Sequence, residues 1–139
     1  MNYELLRQVR DAITDESNGF VMARWFGPTA DTCGTAACIA GHAIAIANKM
    51  DLKNADWAET EDRASEIVGG PWYETAAAKL LGLSGSQSAR LFYTLGWDDD
   101  LCRAVMDADR ERLRGEAYQT AIRKGAVEMI DRIMLEGDG

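Results

Sequence analysis

The sequence has few of the residues that metal sites and disulfide frameworks require. It contains one histidine and three cysteines among its 139 residues. An odd number of cysteines does not form a disulfide framework, so we expect reduced thiols and a cytoplasmic protein. The opening MNYELLRQVR has no apolar core of a secretory signal peptide, which favours the same location.

Basic residues are outnumbered as well, with 15 Lys and Arg against 23 Asp and Glu and a net charge of −8. Duplex DNA and anionic membranes would repel such a surface, so neither is an expected partner. The longest apolar run is interrupted by His42 and is too short to span a membrane. A modest negative charge is typical of a soluble protein.

Repeats, low-complexity linkers and convincing runs of alternating strand residues are absent. Apolar residues recur instead at helical spacing almost throughout, and 47% of the residues are hydrophobic. We therefore predict one all-α domain over residues 1–139. It is an irregular bundle of about six or seven helices around a central Ala-rich helix. A short extended segment is expected only between Phe20 and Trp25.

The first and last helices are predicted from their apolar faces, and two inner helix ends from capping residues. Gly82 is expected to end one helix, and the segment from Ser84 to start the next. The apolar faces consist of Leu5, Leu6, Val9 and Ile13 in the first helix, and of Tyr118, Ile122, Ala126, Met129, Ile130 and Ile133 in the last.

The central helix is predicted over about Thr35 to Asn48, with Thr35 as its N-cap. Small or apolar residues cover most of its circumference, which is typical of a buried helix. Because successive residues of an α-helix are rotated by about 100°, one side of this helix carries a polar stripe that consists of Cys38, His42, Thr35 and Lys49. This stripe is either a narrow solvent-facing edge or the floor of a pocket above the start of the helix.

The segment Cys33–Ala43 resembles the core of a family of small bacterial and phage proteins, Cys-Gly-Thr-x-x-Cys-Ile-Ala-Gly-His/Trp-Ala. The resemblance extends over roughly residues 1 to 135. An aromatic segment precedes the core, and a Leu-Gly-Leu…Leu-Phe…Trp block, here Leu81–Leu83, Leu91–Phe92 and Trp97, follows it. The resemblance implies a helical fold and a bacterial or phage origin, and it implies no activity.

Cysteine chemistry is one candidate for the site. Cys33, Cys38, His42 and Cys102 together would complete a Cys3His zinc set, although their spacing matches no familiar zinc module. Cys33 precedes the predicted helix start, where the helix dipole would lower its pKa. His42 would then lie about 12 Å further along the helix, too far to act as its base.

Anion or nucleotide binding is a second candidate. Gly34 and Thr35 would open the central helix, so that phosphate oxygens could reach free backbone N–H groups. Trp25 could stack on a base and Arg24 could pair with phosphate, with His42 on the same polar stripe. The sequence contains no Walker-type loop, so this hypothesis depends on the helix start.

Two further patterns favour ordinary surfaces. Two pairs of carboxylates have the spacing of Mg²⁺-binding pairs in all-helical nucleotide pyrophosphatases, namely Glu59/Asp62 and Glu128/Asp131. Their angular positions around the predicted helices, however, place both pairs on solvated faces. Large aromatic residues that reach the surface would be good anchors for a protein partner. These aromatic residues are Trp57, Trp72, Tyr73, Tyr93 and Trp97.

The sequence thus favours a non-enzymatic intracellular binding protein of bacterial or phage origin. Its expected ligand is a host protein or a small phosphorylated or nucleotide signal, as in an antagonist of host defence. Self-association into a homo-oligomer is also open. The alternative is a metalloprotein or hydrolase built on Cys33, Cys38 and His42, with zinc as its candidate metal.

Overall fold

The computed structural model describes residues 1–15, 19–20, 26–28, 35–52, 57–69, 73–110 and 116–137. Within these ranges it contains seven α-helices and one short 3₁₀-helix, which confirm the predicted all-α bundle, and also a small sheet. The helices are α1 (Tyr3–Thr14), α2 (Ile39–Ala47), α3 (Trp57–Val68), α4 (Tyr73–Leu81), α5 (Gly85–Phe92), the 3₁₀-helix (Thr94–Gly96), α6 (Asp99–Arg110) and α7 (Glu116–Glu136).

The sheet consists of three strands of two or three residues each, β1 (Gly19–Phe20), β2 (Phe26–Pro28) and β3 (Thr35–Ala37). β3 lies in the middle, parallel to β1 and antiparallel to β2. The first two strands flank the segment that was expected to be extended, of which residues 21–25 lie outside the described residues.

The predicted start of the central helix is wrong. The helix begins at Ile39 and not at Thr35, and its N-cap is Cys38, whose Sγ accepts the Gly41 N–H at 3.4 Å. Thr35–Ala37 instead pairs with both outer strands. Apolar and small residues fit a buried strand as well as a buried helix, so periodicity alone could not separate them.

The prediction that this helix is buried and central is confirmed. Every residue of α2 from Ile39 to Ala45 is buried, and α2 packs against α1, α3, α4 and α5. Its carboxyl end is closed by Lys49 N–H to Ile46 O at 3.0 Å and Met50 N–H to Ala45 O at 2.9 Å. This is a Schellman motif, and Lys49 adopts its left-handed position with φ 56°.

The remaining helices surround α2 as the apolar patterns predict. In α1 the predicted apolar face is fully buried, and in α7 all of it is buried except the half-buried Tyr118. Gly82 ends α4 with φ 67°, and Ser84 caps α5 in a capping box with Gln87. Asn2 ties the start of α1 to the end of α4, since its N–H donates to Leu81 O at 2.8 Å.

Trp97 joins the last two helices to the rest of the bundle. Its indole is 3% exposed and donates from Nε1 to Leu91 O at 3.0 Å. A Cβ on Gly125 of α7 would lie 2.6 Å from the indole Cζ3, so only glycine allows α7 to pack this closely on Trp97. Gly96 is restricted likewise, because its Cβ would lie 2.4 Å from Ala89 O.

Candidate functional site

The structure describes part of the predicted ligand site. Arg24, Trp25, Cys33 and Gly34 lie outside the described residues. Thr35 belongs to β3, four residues before the first residue of α2. The helix start that supported a phosphate site at Gly34 and Thr35 therefore lies further along the chain.

Cys38 and His42 come together as the sequence predicts, but inside the core. Each is 1% exposed, and His42 Nδ1 lies 3.0 Å from Cys38 O. The interpretation of the polar stripe as a solvent-facing edge is therefore wrong for these two residues, whereas Lys49 is exposed. With the carbonyl as acceptor, Nδ1 carries a proton and this ring edge serves to hold the first turn of α2.

Burial also decides the chemistry of the Cys38 thiol. Desolvation raises its pKa to about 12, although the backbone N–H of Gly41 acts in the opposite direction. The thiol is neutral at pH 7 and is therefore a poor nucleophile. Cys38 and Cys102 are both free thiols.

Cys102 belongs to a different surface. It is half-buried on α6, where its Sγ lies 3.9 Å from the Met106 sulfur. Across the described ranges, no three His, Cys, Asp or Glu side chains are placed to hold a metal ion together. The structure thus does not gather Cys38, His42 and Cys102 into one group.

The carboxylate pairs are placed as expected on outward faces. Glu59 and Asp62 are exposed on α3. On α7, Glu128 pairs with Arg132 at 3.3 Å, and Asp131 pairs with Arg10 of α1 at 2.8 Å. Glu128 and Asp131 thus each pair with an arginine on the helical surface.

Two of the aromatic anchor candidates can be placed. Trp97 is a core residue, as described above, and does not reach the surface. Tyr93 is 48% exposed, and its hydroxyl donates to Glu74 Oε1. That hydrogen bond raises the pKa of Tyr93. Trp72 and the side chains of Trp57 and Tyr73 lie outside what the structure describes.

A groove lies between α6 and α7 on the surface of the described residues. Its volume is about 870 Å³, within the usual range of ligand sites. Small and apolar residues form its floor, and polar residues form its rim. The floor consists of Leu101, Ala104, Ala121 and Gly125, and the rim of Asp100, Thr120, Lys124, Glu128 and Arg132.

An ion-pair clamp closes one end of this groove. Arg132 of α7 binds both carboxylate oxygens of Asp100 at 2.9 and 2.8 Å, and Asp98 at 2.9 Å. Arg90 of α5 approaches the other oxygen of Asp98 at 3.2 Å and binds Glu136 at 2.7 Å. The start of α6 is thereby fixed to the end of α7, so the two helices run antiparallel.

The clamp also sets the charges at that end. Hydrogen bonds from Arg132 lower the pKa of Asp100 to about 2 and lower the pKa of Asp98, while the pKa of Arg132 is raised by Asp100 and Asp98. All of these groups are charged at pH 7. Arg132 is satisfied by carboxylates of its own chain, so it is not a free partner for an anionic ligand.

Two exposed residues, Lys124 and Leu135, lie on the open face of α7. Lys124 is exposed and forms no ion pair with any residue in the described ranges. Leu135 is 87% exposed, the most exposed of the large hydrophobic residues that the structure describes. At about 100° per residue, Leu135 falls between Lys124 and Glu128 on the same face. An apolar side chain thus continues the line of the groove.

Comparison with protein-family models, curated proteins and solved structures gave no match. In the described part of the chain, no helix has the length and apolar character needed to cross a membrane. The fold and the groove therefore define this protein as an all-α bundle that carries an open groove on an antiparallel helix pair.

No local sequence pattern predicts the groove. Ala121 and Gly125 are four residues apart on α7 and both line it. Gly125, however, is buried, and the Trp97 indole fills the direction of its missing side chain. That contact joins residues far apart in sequence and has no local pattern.

Proposed function

We propose that this chain is a non-enzymatic cytoplasmic binding protein that takes a helix of a protein partner into the α6–α7 groove. The observation that carries the proposal is the groove itself, with an apolar floor of small residues beside the exposed Leu135. Small floor residues allow a second helix to approach closely. Amphipathic helices bind proteins in this way, with apolar anchors at helical spacing.

The dimensions of the groove support a helix as the ligand. Its lining on α7 runs from Thr120 to Arg132. Twelve residues of helix span about 18 Å, which is the length of about three turns of a bound helix. Both walls are helices that the ion-pair clamp holds at one end, so the groove is largely preformed.

The charges of the rim favour a protein over a small phosphorylated ligand. A phosphate group needs several converging donors, usually from arginine or free backbone N–H groups. Arg132 is already bound by Asp98 and Asp100, and Arg90 by Glu136. Among the rim residues that the structure describes, Lys124 and Thr120 are the donors left for a ligand, which are too few for a nucleotide.

The resemblance of the sequence to small bacterial and phage proteins extends the proposal to the origin of the protein and the kind of partner it binds. The likeness of Cys33–Ala43 to small bacterial and phage proteins supports a bacterial or phage origin. A small binding protein of that origin would act by sequestering a host protein. The buried, neutral Cys38 supports a binding role over the alternative of a cysteine hydrolase.

The test uses amphipathic helical peptides selected from a display library against the full chain. Bound peptide should shift the NMR signals of Leu101, Ala104 and Ala121. Ala104→Trp, which fills the groove, should abolish binding, whereas Ala89→Trp, on an exposed site of α5, should leave it unchanged. The proposal is wrong if both variants bind peptide like the unaltered chain, or if ATP shifts the groove signals and the peptides do not.

A further inference from the structure

We draw no further inference here: the strongest candidate, the exposed face of α7 that continues the α6–α7 groove as far as Leu135, is an unpartnered apolar face, and nothing in the structure shows what covers it.

Discussion

Replacing Gly125 with alanine tests the close packing of α7 on Trp97. The added Cβ would lie 2.6 Å from Cζ3 of the Trp97 indole, so the ring must move. Overpacking of this kind costs about 1–3 kcal/mol. Displacing the indole also weakens its hydrogen bond to Leu91 O, which costs about 1 kcal/mol or more when the donor stays buried. Alanine regains about 1 kcal/mol of helix propensity.

The net loss for Gly125→Ala is therefore about 2 kcal/mol, or about 8 °C in Tm for a domain of this size. Thermal unfolding followed by circular dichroism measures it, and tryptophan fluorescence reports the displaced ring. Gly85→Ala is the matched control, because a Cβ there meets nothing within 4 Å, and it should be neutral or slightly stabilising. The reasoning is refuted if Gly125→Ala is as stable as the unaltered chain, or if both variants lose the same stability.

Three other predictions concern single residues. Lys49→Gly should stabilise the fold by about 1 kcal/mol in urea unfolding, since Lys49 occupies a left-handed position at φ 56°, and Lys49→Ala should give no such gain. The stability of the unaltered chain should fall relative to that of Cys38→Ser as the pH rises from about 9 toward 12, by up to about 1.4 kcal/mol per pH unit. The reason is that the raised pKa of Cys38 keeps the thiol protonated in the folded chain, while the thiol of the unfolded chain ionises. Parallel curves of stability against pH for the two proteins would contradict this. The ionised carboxylates of Asp98 and Asp100, whose pKa values are lowered in the folded chain, contribute stability above about pH 4. This contribution should be lost as the pH falls toward 2, and the loss should be smaller in acid unfolding curves of Arg132→Gln.

Much of the fold could be predicted because it is recorded in local patterns. The faces of α1 and α7 follow from apolar spacing, and the ends at Gly82 and Ser84 from capping chemistry. Cys38 shows the limit of such patterns. Its position within a run of small residues fits a helix interior, yet it is an N-cap, because β3 pairs with two strands from elsewhere in the chain.

The candidate site was harder to predict from the sequence, because it depends on contacts between distant segments. The burial of His42 and Cys38 depends on four helices that pack around α2. The clamp joins Asp98 and Asp100 to Arg132, more than thirty residues away. Neither the spacing nor the charge of these carboxylates indicates their partner on α7.

The most direct measurement of the central claim is an isotope-filtered NOE spectrum of the ¹³C-labelled chain mixed with an unlabelled helical peptide that it binds. Signals in it arise only between the chain and the peptide. The account predicts contacts from the peptide side chains to the methyl groups of Ala104 and Ala121 in the α6–α7 groove. A spectrum at saturating peptide concentration without these contacts, or with contacts only to another face of the molecule, would contradict it.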